Sequence, residues 1–161
     1  MKHYEINPSS SIPINILLAD DDVDDRFFFN KALKTLPFYI QLMTIEDGER
    51  LLSYLKKNPT KLPDILFLDH NMPRKNGSEC LSEIKANPDL KNLPVIMYST
   101  YLHDDVADVL YENGAHFYIR KTNLPDLKKI LYHVITLITE KKLIRPLRAQ
   151  FMLNPIEGTL N

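Results

Sequence analysis

The sequence predicts a doubly wound α/β fold, in which a five-stranded parallel sheet is covered by helices on both faces. A short apolar run followed by an amphipathic stretch occurs five times along the 161 residues, which is the pattern of consecutive β-α units. The first, third and fourth runs are almost wholly apolar, as strands buried on both faces are. The strand order 2-1-3-4-5 is a common arrangement of five such units.

The apolar runs predict strands at residues 14–19, 39–45, 64–68, 95–98 and 116–119. Each stretch between them carries apolar residues three and four positions apart, the spacing of one helix face. The residues predicted to face the core are Phe27, Phe28, Ala32 and Leu33 in the first helix, Leu51, Leu52 and Leu55 in the second, Cys80, Leu81 and Ile84 in the third, Val106, Val109 and Leu110 in the fourth, and Leu127, Ile130, Leu131, Val134, Leu137 and Ile138 in the fifth.

Polar and glycine residues mark the helix ends. Asp47 and Asn123 are predicted to cap the second and fifth helices, because a short polar side chain accepts hydrogen bonds from first-turn N–H groups. Gly77 opens the third helix, and Gly114 follows the fourth at a position where a left-handed backbone favours glycine.

Composition limits the function classes. Apolar residues make up 44% of the chain, charged residues 25%, and the net charge is −1, which favours binding neither to nucleic acid nor to membranes. The chain has one cysteine, Cys80, so it predicts no intrachain disulfide. Without a signal-peptide core or a run that spans a bilayer, we expect a cytoplasmic protein. We expect an N-terminal leader at 1–13, one domain at 14–140 and a tail at 141–161 that is too short for an effector domain.

Reactive side chains follow four of the predicted strands. Asp20, Asp21 and Asp22 end the first strand, and Asp69 ends the third. Ser99 ends the fourth strand, and Lys121 comes directly after the fifth. The carboxyl ends of parallel strands meet at one edge of the sheet, which is where such folds bind ligands. The sequence therefore predicts that carboxylates, a hydroxyl and an ammonium group meet there.

This set of groups is typical of metal-assisted phosphoryl transfer. Neighbouring carboxylates repel each other by about 1–4 kcal/mol per pair, and Mg²⁺, which prefers oxygen ligands, relieves that repulsion. An aspartate can accept a phosphoryl group, while a lysine and a hydroxyl stabilise the charge on its oxygens. A structural interpretation stays open for Asp22, Asp24 and Asp25, whose charges favour the N-terminus of the first helix.

Four segments of the chain resemble the response-regulator receiver domains of two-component signalling. They read ILLADDD, ILFLDHNMPRKNG, LPVIMYST and GAHFYIRK, and the resemblance extends from residue 14 to residue 138. Within that family the chain looks most like the stand-alone regulators that partner bacterial phytochromes. The resemblance implies a flavodoxin-like receiver fold with five helices. It also implies a signalling protein that is no enzyme beyond promoting its own phosphorylation and dephosphorylation.

The resemblance also implies roles for individual residues. Asp69 matches the phosphoacceptor, and Asp20 and Asp21 match the acidic pair that holds Mg²⁺ together with Asp69. The backbone carbonyl of Asn71 matches a further metal ligand. The remaining matches are Ser99 as the switch hydroxyl, Lys121 as the phosphate-binding lysine, and Tyr118 as the aromatic residue that swings inward when the hydroxyl moves.

One position departs from the family pattern. Receiver domains usually have proline after the lysine, joined by a cis bond, whereas this chain has Thr122. A cis bond without proline costs about 2.5–4 kcal/mol, so the loop is either cis under strain or trans with Lys121 placed differently. The sequence also leaves open that the metal pair is Asp21 and Asp22.

Two rival functions remain at this point. A phosphohydrolase of the haloacid-dehalogenase type would use Asp20 as nucleophile and Asp22 as acid/base, but the usual Gly-Thr is absent and Asp69 would have no role. A degenerate receiver would bind partners without phosphorylation. For the receiver we expect a histidine kinase or a histidine phosphotransfer protein as donor and a downstream protein as target. A homodimer is a further option.

Overall fold

Strands and helices alternate along the computed structural model, which describes residues 12–155. The strands are β1 Ile14–Ala19, β2 Ile40–Ile45, β3 Ile65–Leu68, β4 Val95–Ser99, β5 Phe117–Arg120 and β6 Met152–Leu153. The helices are α1 Val23–Lys34, α2 Gly48–Lys57, α3 Gly77–Ala86, α4 Asp104–Glu112 and α5 Leu124–Thr139, with a 3₁₀ turn at Arg148–Gln150. None of the helices in this described part is long and apolar enough to cross a membrane.

All strands pair in parallel, in the order β2-β1-β3-β4-β5-β6. The predicted order of the first five strands is confirmed. The sheet contains a sixth strand that the sequence did not predict, because its two residues are too few to show a pattern. The register pairs Ala19 with Leu68 and Ser99 with Arg120, so the residues that follow β1, β3, β4 and β5 lie at one edge.

Two hydrophobic cores fill the spaces on either face of the sheet. One core joins α2, α3 and α4 to the sheet, with Leu51, Leu81 and Leu110 fully buried. The other joins α1 and α5 to the opposite face, with Phe29 and Leu131 fully buried. Helices on both faces explain why β3 and β4 consist of buried residues throughout, as strands covered on both sides require.

The prediction of which α1 residues face the core was partly wrong, because the buried face is rotated by part of a turn. Phe27 is 71% exposed and Phe28 is half-buried, whereas Phe29 is fully buried. The residues three and four positions after Phe29 are Ala32 and Leu33, which complete an apolar face. The corresponding residues after Phe27 are Asn30 and Lys31, so the apolar face does not continue along the helix from Phe27.

Two smaller corrections concern α4 and α5. Val109 is 48% exposed and Ala107 takes a buried position on α4 instead. On α5, Ile135 is fully buried, while Leu137 and Ile138 are only half-buried. In both helices the buried face is rotated slightly from the predicted one.

The predicted helix ends are confirmed. Asp47 Oδ1 accepts a hydrogen bond from the Arg50 N–H at 2.8 Å, and Asn123 Oδ1 accepts one from the Asp126 N–H at 3.0 Å. Gly114 has φ 101°, the left-handed conformation that favours glycine. The predicted leader at 1–13 lies almost wholly outside the described residues, as do the last six residues of the predicted tail.

Candidate functional site

Four buried or half-buried side chains meet at the carboxyl edge of the sheet. Asp20 and Ser99 are fully buried, Asp69 is 3% exposed, and Lys121 is half-buried. Each lies at or directly after the end of a different strand, so the parallel pairing of β1, β3, β4 and β5 brings them together. The predicted convergence is therefore observed.

The carboxylate of Asp69 is held by three neighbours. Its Oδ1 accepts hydrogen bonds from Ser99 Oγ at 3.1 Å and from the Asn71 N–H at 3.2 Å. Its Oδ2 lies 3.4 Å from Lys121 Nζ. Its own N–H donates to Ala19 O at 2.9 Å, which continues the β1–β3 ladder. The carboxylate is thus fixed in orientation while both oxygens face charge or hydrogen-bond donors.

Asp20, Asp21 and Asp69 form an acidic cluster. One carboxylate oxygen of each lies within 4.8 Å of the others. Asp20 and Asp69 are buried and Asp21 is exposed, so the cluster opens to solvent on one side. This is the pair of first-strand aspartates that the resemblance implies.

Asp22 has a structural role instead. Its Oδ1 accepts hydrogen bonds from the N–H groups of Asp24 at 2.8 Å and Asp25 at 3.0 Å, so it caps α1. The alternative in which Asp21 and Asp22 form the metal pair has no support in this geometry.

The two carboxylate oxygens of Asp20 differ in their hydrogen-bond partners. Oδ1 accepts from the Asp22 N–H at 3.0 Å. Oδ2 has an ion-pair partner, Lys121 Nζ at 2.8 Å, but no hydrogen bond of regular geometry from any described residue. A buried carboxylate oxygen that is incompletely satisfied, next to two further carboxylates, fits a hard divalent cation with oxygen ligands.

Burial dominates the electrostatics of these acids. It raises the pKa of Asp20 to about 6 even though Lys121 pulls the pKa down. Burial also raises the pKa of Asp69, again against Lys121. For Lys121, burial lowers the pKa, but the carboxylates of Asp20, Asp25 and Asp69 outweigh it and the net shift is upward. The ammonium group therefore stays charged and is the nearest cation to the cluster in this part of the structure.

Two contacts position Lys121. One is made by its backbone, and the other by Asp25, for which the sequence predicted only a role at the N-terminus of the first helix. The Lys121 N–H donates to Ser99 O at 2.7 Å, and its Nζ lies 2.8 Å from Asp25 Oδ2. The Lys121–Thr122 bond is trans, since residues 12–155 contain no cis bond. The trans loop still brings the ammonium group to Asp20 and Asp69. Asp25 lies one helical turn after Asp21, which was the only sequence signal for its position.

Gly77 is a second residue whose role was only partly predicted. A Cβ added there would lie 2.4 Å from Asp69 O and 2.8 Å from His70 Cα, which no side chain tolerates. The Gly77 N–H donates to His70 O at 2.9 Å. The start of α3 therefore packs directly against the backbone of the residues at the acidic cluster.

Tyr118 lies close to this edge but points inward. Its side chain is almost fully buried, and its hydroxyl donates to Thr100 O at 2.7 Å. Thr100 follows Ser99, whose hydroxyl donates to Asp69. Tyr118 is thus connected to the acidic cluster through one residue of backbone.

Comparison with known proteins gives a consistent result. A family model described as the response regulator receiver domain matches residues 16–132. The response regulator Rcp1 of Synechocystis sp. is 34% identical over 131 residues, which is 78% of this chain and 89% of that protein.

Solved structures show the same likeness. A phosphorylated cyanobacterial phytochrome response regulator, RcpA, superposes with a TM-score of 0.73 at 30% identity, covering 81% of this chain and 96% of that one. The Mn²⁺-bound form of Rcp1 superposes with a TM-score of 0.71 at 32% identity, covering 83% of this chain and 99% of that one.

Proposed function

Because the chain belongs to the response regulator receiver domain family, we propose that it accepts a phosphoryl group on Asp69 and passes a signal through protein contacts. Its similarity to phytochrome response regulators confirms the predicted subgroup resemblance. Receiver domains are signalling modules, and this one is homologous to single-domain regulators. We take residues 14–140 as the receiver. The observation that carries the proposal is the convergence of Asp69 with Ser99, Lys121 and Asp20 at the carboxyl edge.

The chemistry proposed for Asp69 is nucleophilic attack. A carboxylate oxygen bonds to the phosphorus of a phosphohistidine donor while the phosphorus–nitrogen bond breaks, and the electron pair stays on the imidazole, which takes up a proton. Only the ionised carboxylate is nucleophilic. Lys121 lowers the pKa of Asp69 against the effect of burial, so it favours this reactive form. Ser99 Oγ and the Lys121 ammonium group lie close enough to Asp69 to donate to the transferred group's oxygens.

Receiver domains bind divalent metal, and the donor set here suits Mg²⁺. Asp20, Asp21, Asp69 and the backbone carbonyl of Asn71 are the proposed ligands. The ion would supply positive charge to the phosphoryl oxygens when bound. Asp25 is proposed as a positioning residue, because its Oδ2 lies 2.8 Å from the Lys121 ammonium nitrogen, which also lies 3.4 Å from Asp69 Oδ2.

Ser99 and Tyr118 are the proposed switch. A phosphoryl group on Asp69 gives the Ser99 hydroxyl a stronger acceptor, and Tyr118 responds through Thr100 O. We expect the donor to be a histidine kinase or a histidine phosphotransfer protein. We expect the downstream protein to read the face formed by α4, β5 and α5.

The two rival functions have less support. In a phosphohydrolase of the haloacid-dehalogenase type, Asp22 would act as acid/base, but here it caps α1. For a degenerate receiver, Thr122 was the argument, yet Lys121 still reaches Asp20 and Asp69.

Incubation with acetyl phosphate and Mg²⁺, followed by intact-mass measurement, tests the proposal. We expect wild type to gain one phosphate per chain, and we expect Asp69→Asn, a nearly isosteric change, to gain none while melting as a folded protein. Addition of EDTA should prevent the gain in wild type. Continuous release of phosphate without a stable adduct would indicate the hydrolase, and no reaction at all would indicate a degenerate receiver.

A further inference from the structure

Residues 142–155, here called the C-terminal segment, lie against α4 and β5. Phe151 is fully buried, with its ring centroid 5.4 Å from that of Tyr111 on α4. β6 extends the sheet by pairing Met152 with Tyr118 and Leu153 with Ile119. The segment therefore contributes a core residue and a strand, where the sequence predicted only a tail too short for an effector domain.

Polar contacts fix the segment to the same helix. Arg148 Nε forms an ion pair with Asp108 Oδ1 at 2.6 Å, and Tyr111 Oη donates to Pro146 O at 2.9 Å. The Arg145 guanidinium group lies 4.4 Å from the centroid of the Tyr111 ring. These contacts all involve α4, and their surface positions make each of them weak by itself.

A short path of contacts joins the segment to the phosphoacceptor. Asp69 Oδ1 accepts from Ser99 Oγ at 3.1 Å, and the next residue, Thr100, accepts from Tyr118 Oη at 2.7 Å. The Tyr118 N–H in turn donates to Phe151 O at 2.9 Å. Tyr118 is thus bonded to the switch through its side chain and to the C-terminal segment through its backbone.

A groove next to Tyr118 gives its ring a second place to lie. The groove has a volume of about 630 Å³, and Tyr101, Leu102 and Tyr118 line it together with Phe151 and Leu153 of the segment. If the Tyr118 ring turned outward, it would enter this groove and press against the segment. The inward ring and the docked segment coexist in this structure, and an outward ring would occupy space that Phe151 and Leu153 line.

We propose that the C-terminal segment is an internal ligand of the α4–β5 face, and that phosphorylation of Asp69 tightens its docking. The inference rests on the proposed function. A phosphoryl group holds the Ser99 hydroxyl toward Asp69, which favours the inward Tyr118 and therefore the docked segment. By linkage, docking must favour the phosphorylated form to the same degree. A downstream protein that reads this face would meet the segment as part of its surface.

Trypsin cleavage after Arg148 in the full-length chain measures docking. The scissile bond lies in the 3₁₀ turn beside the buried Phe151, so cleavage requires local opening of the segment. With acetyl phosphate and Mg²⁺, we expect cleavage to slow by about fivefold to tenfold, a common size of coupling between two sites. Asp69→Asn under the same conditions should show no change. Hydrogen exchange of peptides covering residues 148–153 should slow in parallel.

Intact mass on the same samples separates the two ways of failing. Phosphorylated protein whose cleavage rate is unchanged, or faster, overturns the coupling and leaves the proposed function standing. Protein that takes up no phosphate overturns the proposed function, and the coupling with it.

Phe151→Ala tests the reciprocal effect, with Ile144→Ala as the matched control, since Ile144 is an apolar residue of the same segment that is 74% exposed. We expect Phe151→Ala to abolish the protection by phosphate and to weaken the binding of beryllofluoride with Mg²⁺ by about fivefold, a typical size of coupling between sites. The control should match wild type in both. Asp108→Asn, which loses only the exposed ion pair to Arg148, should show faster basal cleavage and serves if Phe151→Ala does not fold. Equal beryllofluoride affinity in wild type and Phe151→Ala, or in wild type and Asp108→Asn where Phe151→Ala does not fold, would contradict the inference.

Discussion

The two ends of the sheet both bury ionisable groups, but of opposite sign. At the carboxyl ends of the strands, burial raises the pKa of Asp20 to about 6 and that of Asp69 as well. At the amino ends of β4 and β5, burial lowers the pKa of His116 to about 4 and that of Lys85 to about 8, with Arg145 lowering both further. The same desolvation thus favours neutral acids at one end and neutral bases at the other.

The two ends differ in the hydrogen-bond and ion-pair partners of their ionisable groups. Lys85 Nζ donates to Leu93 O at 2.8 Å and to Lys91 O at 3.1 Å, and Arg145 Nε donates to Ala115 O at 3.3 Å. These cations bind backbone carbonyls and fix loops. At the other end, three carboxylates face one another with Lys121 as their nearest cation. The lysine and the arginine of the amino end are thus held by backbone carbonyls, although the buried Nδ1 of His116 has no hydrogen-bond partner among the described residues. The carboxyl end, with its three carboxylates, suits a bound ion and a transferred anion.

The two ends should differ most in what their lysines contribute to phosphorylation. Lys121→Met should slow phosphorylation by acetyl phosphate by about 10²–10³-fold, the usual loss when one donor to a transition-state oxygen is removed. Lys85→Met, a matched change at the amino end, should leave the rate within about twofold, because the Lys85 ammonium group donates to carbonyls of the loop before β4 and not to the acidic cluster. Rates would be followed by intact mass under identical Mg²⁺ and acetyl phosphate. Equal losses in both variants would show that the two ends do not differ in function.

The second prediction concerns the carboxyl end without metal. An acid whose pKa is raised to about 6 in the fold contributes stability below its unfolded pKa of about 4, and this stability is lost as pH rises through 6. In EDTA, Asp20→Asn should therefore be more stable than wild type by up to about 3 kcal/mol at pH 7.5, and the difference should shrink at pH 5 and vanish near pH 4.

Urea unfolding at these pH values measures the difference, with Asp21→Asn as the control because that carboxylate is exposed. A stability difference that stays constant with pH would show that burial of Asp20 is not the cause.

The third and smallest prediction concerns the amino end. His116 is a base whose pKa burial lowers to about 4. Its contribution to the free energy of unfolding is therefore complete above its unfolded pKa of about 6.5, and it is lost as pH falls through 4. Wild type should lose about 2 kcal/mol of unfolding free energy relative to His116→Gln between pH 7 and pH 4, less than the full shift because the side chain is partly exposed. His103→Gln, an exposed histidine, is the control and should follow wild type. If the unfolding free energies of wild type and His116→Gln changed equally with pH, burial of a neutral base at the amino end would be contradicted.

The sequence predicted the carboxyl end better than the rest of the molecule. Asp20, Asp69, Ser99 and Lys121 could be placed together because parallel strands deliver their last residues to one edge, whatever the details of packing. Asp25 could not be assigned to Lys121 in advance, because that contact depends on the rotation of α1 about its axis. The same rotation explains why Phe27 was placed inward and Phe29 was not.

The C-terminal segment shows a second limit. Its docking depends on one aromatic residue, two strand residues and contacts to residues 30 and 35 positions away, none of which produces a periodic pattern. A short segment bound mainly by tertiary contacts looks like a loop in the sequence. The trans bond at Lys121–Thr122 was equally open, because both loop geometries satisfied the sequence.

The most direct test of the account is the location of the phosphate. After reaction with acetyl phosphate and Mg²⁺, borohydride reduction converts an aspartyl phosphate into homoserine, and peptide mass spectrometry then identifies the modified position. We predict that homoserine replaces Asp69 and that Asp20, Asp21, Asp22 and Asp25 remain aspartate. Modification at Asp20 with Asp69 unchanged, or no modification at any aspartate, would contradict the claim that this edge of the sheet is a phosphoacceptor site built around Asp69.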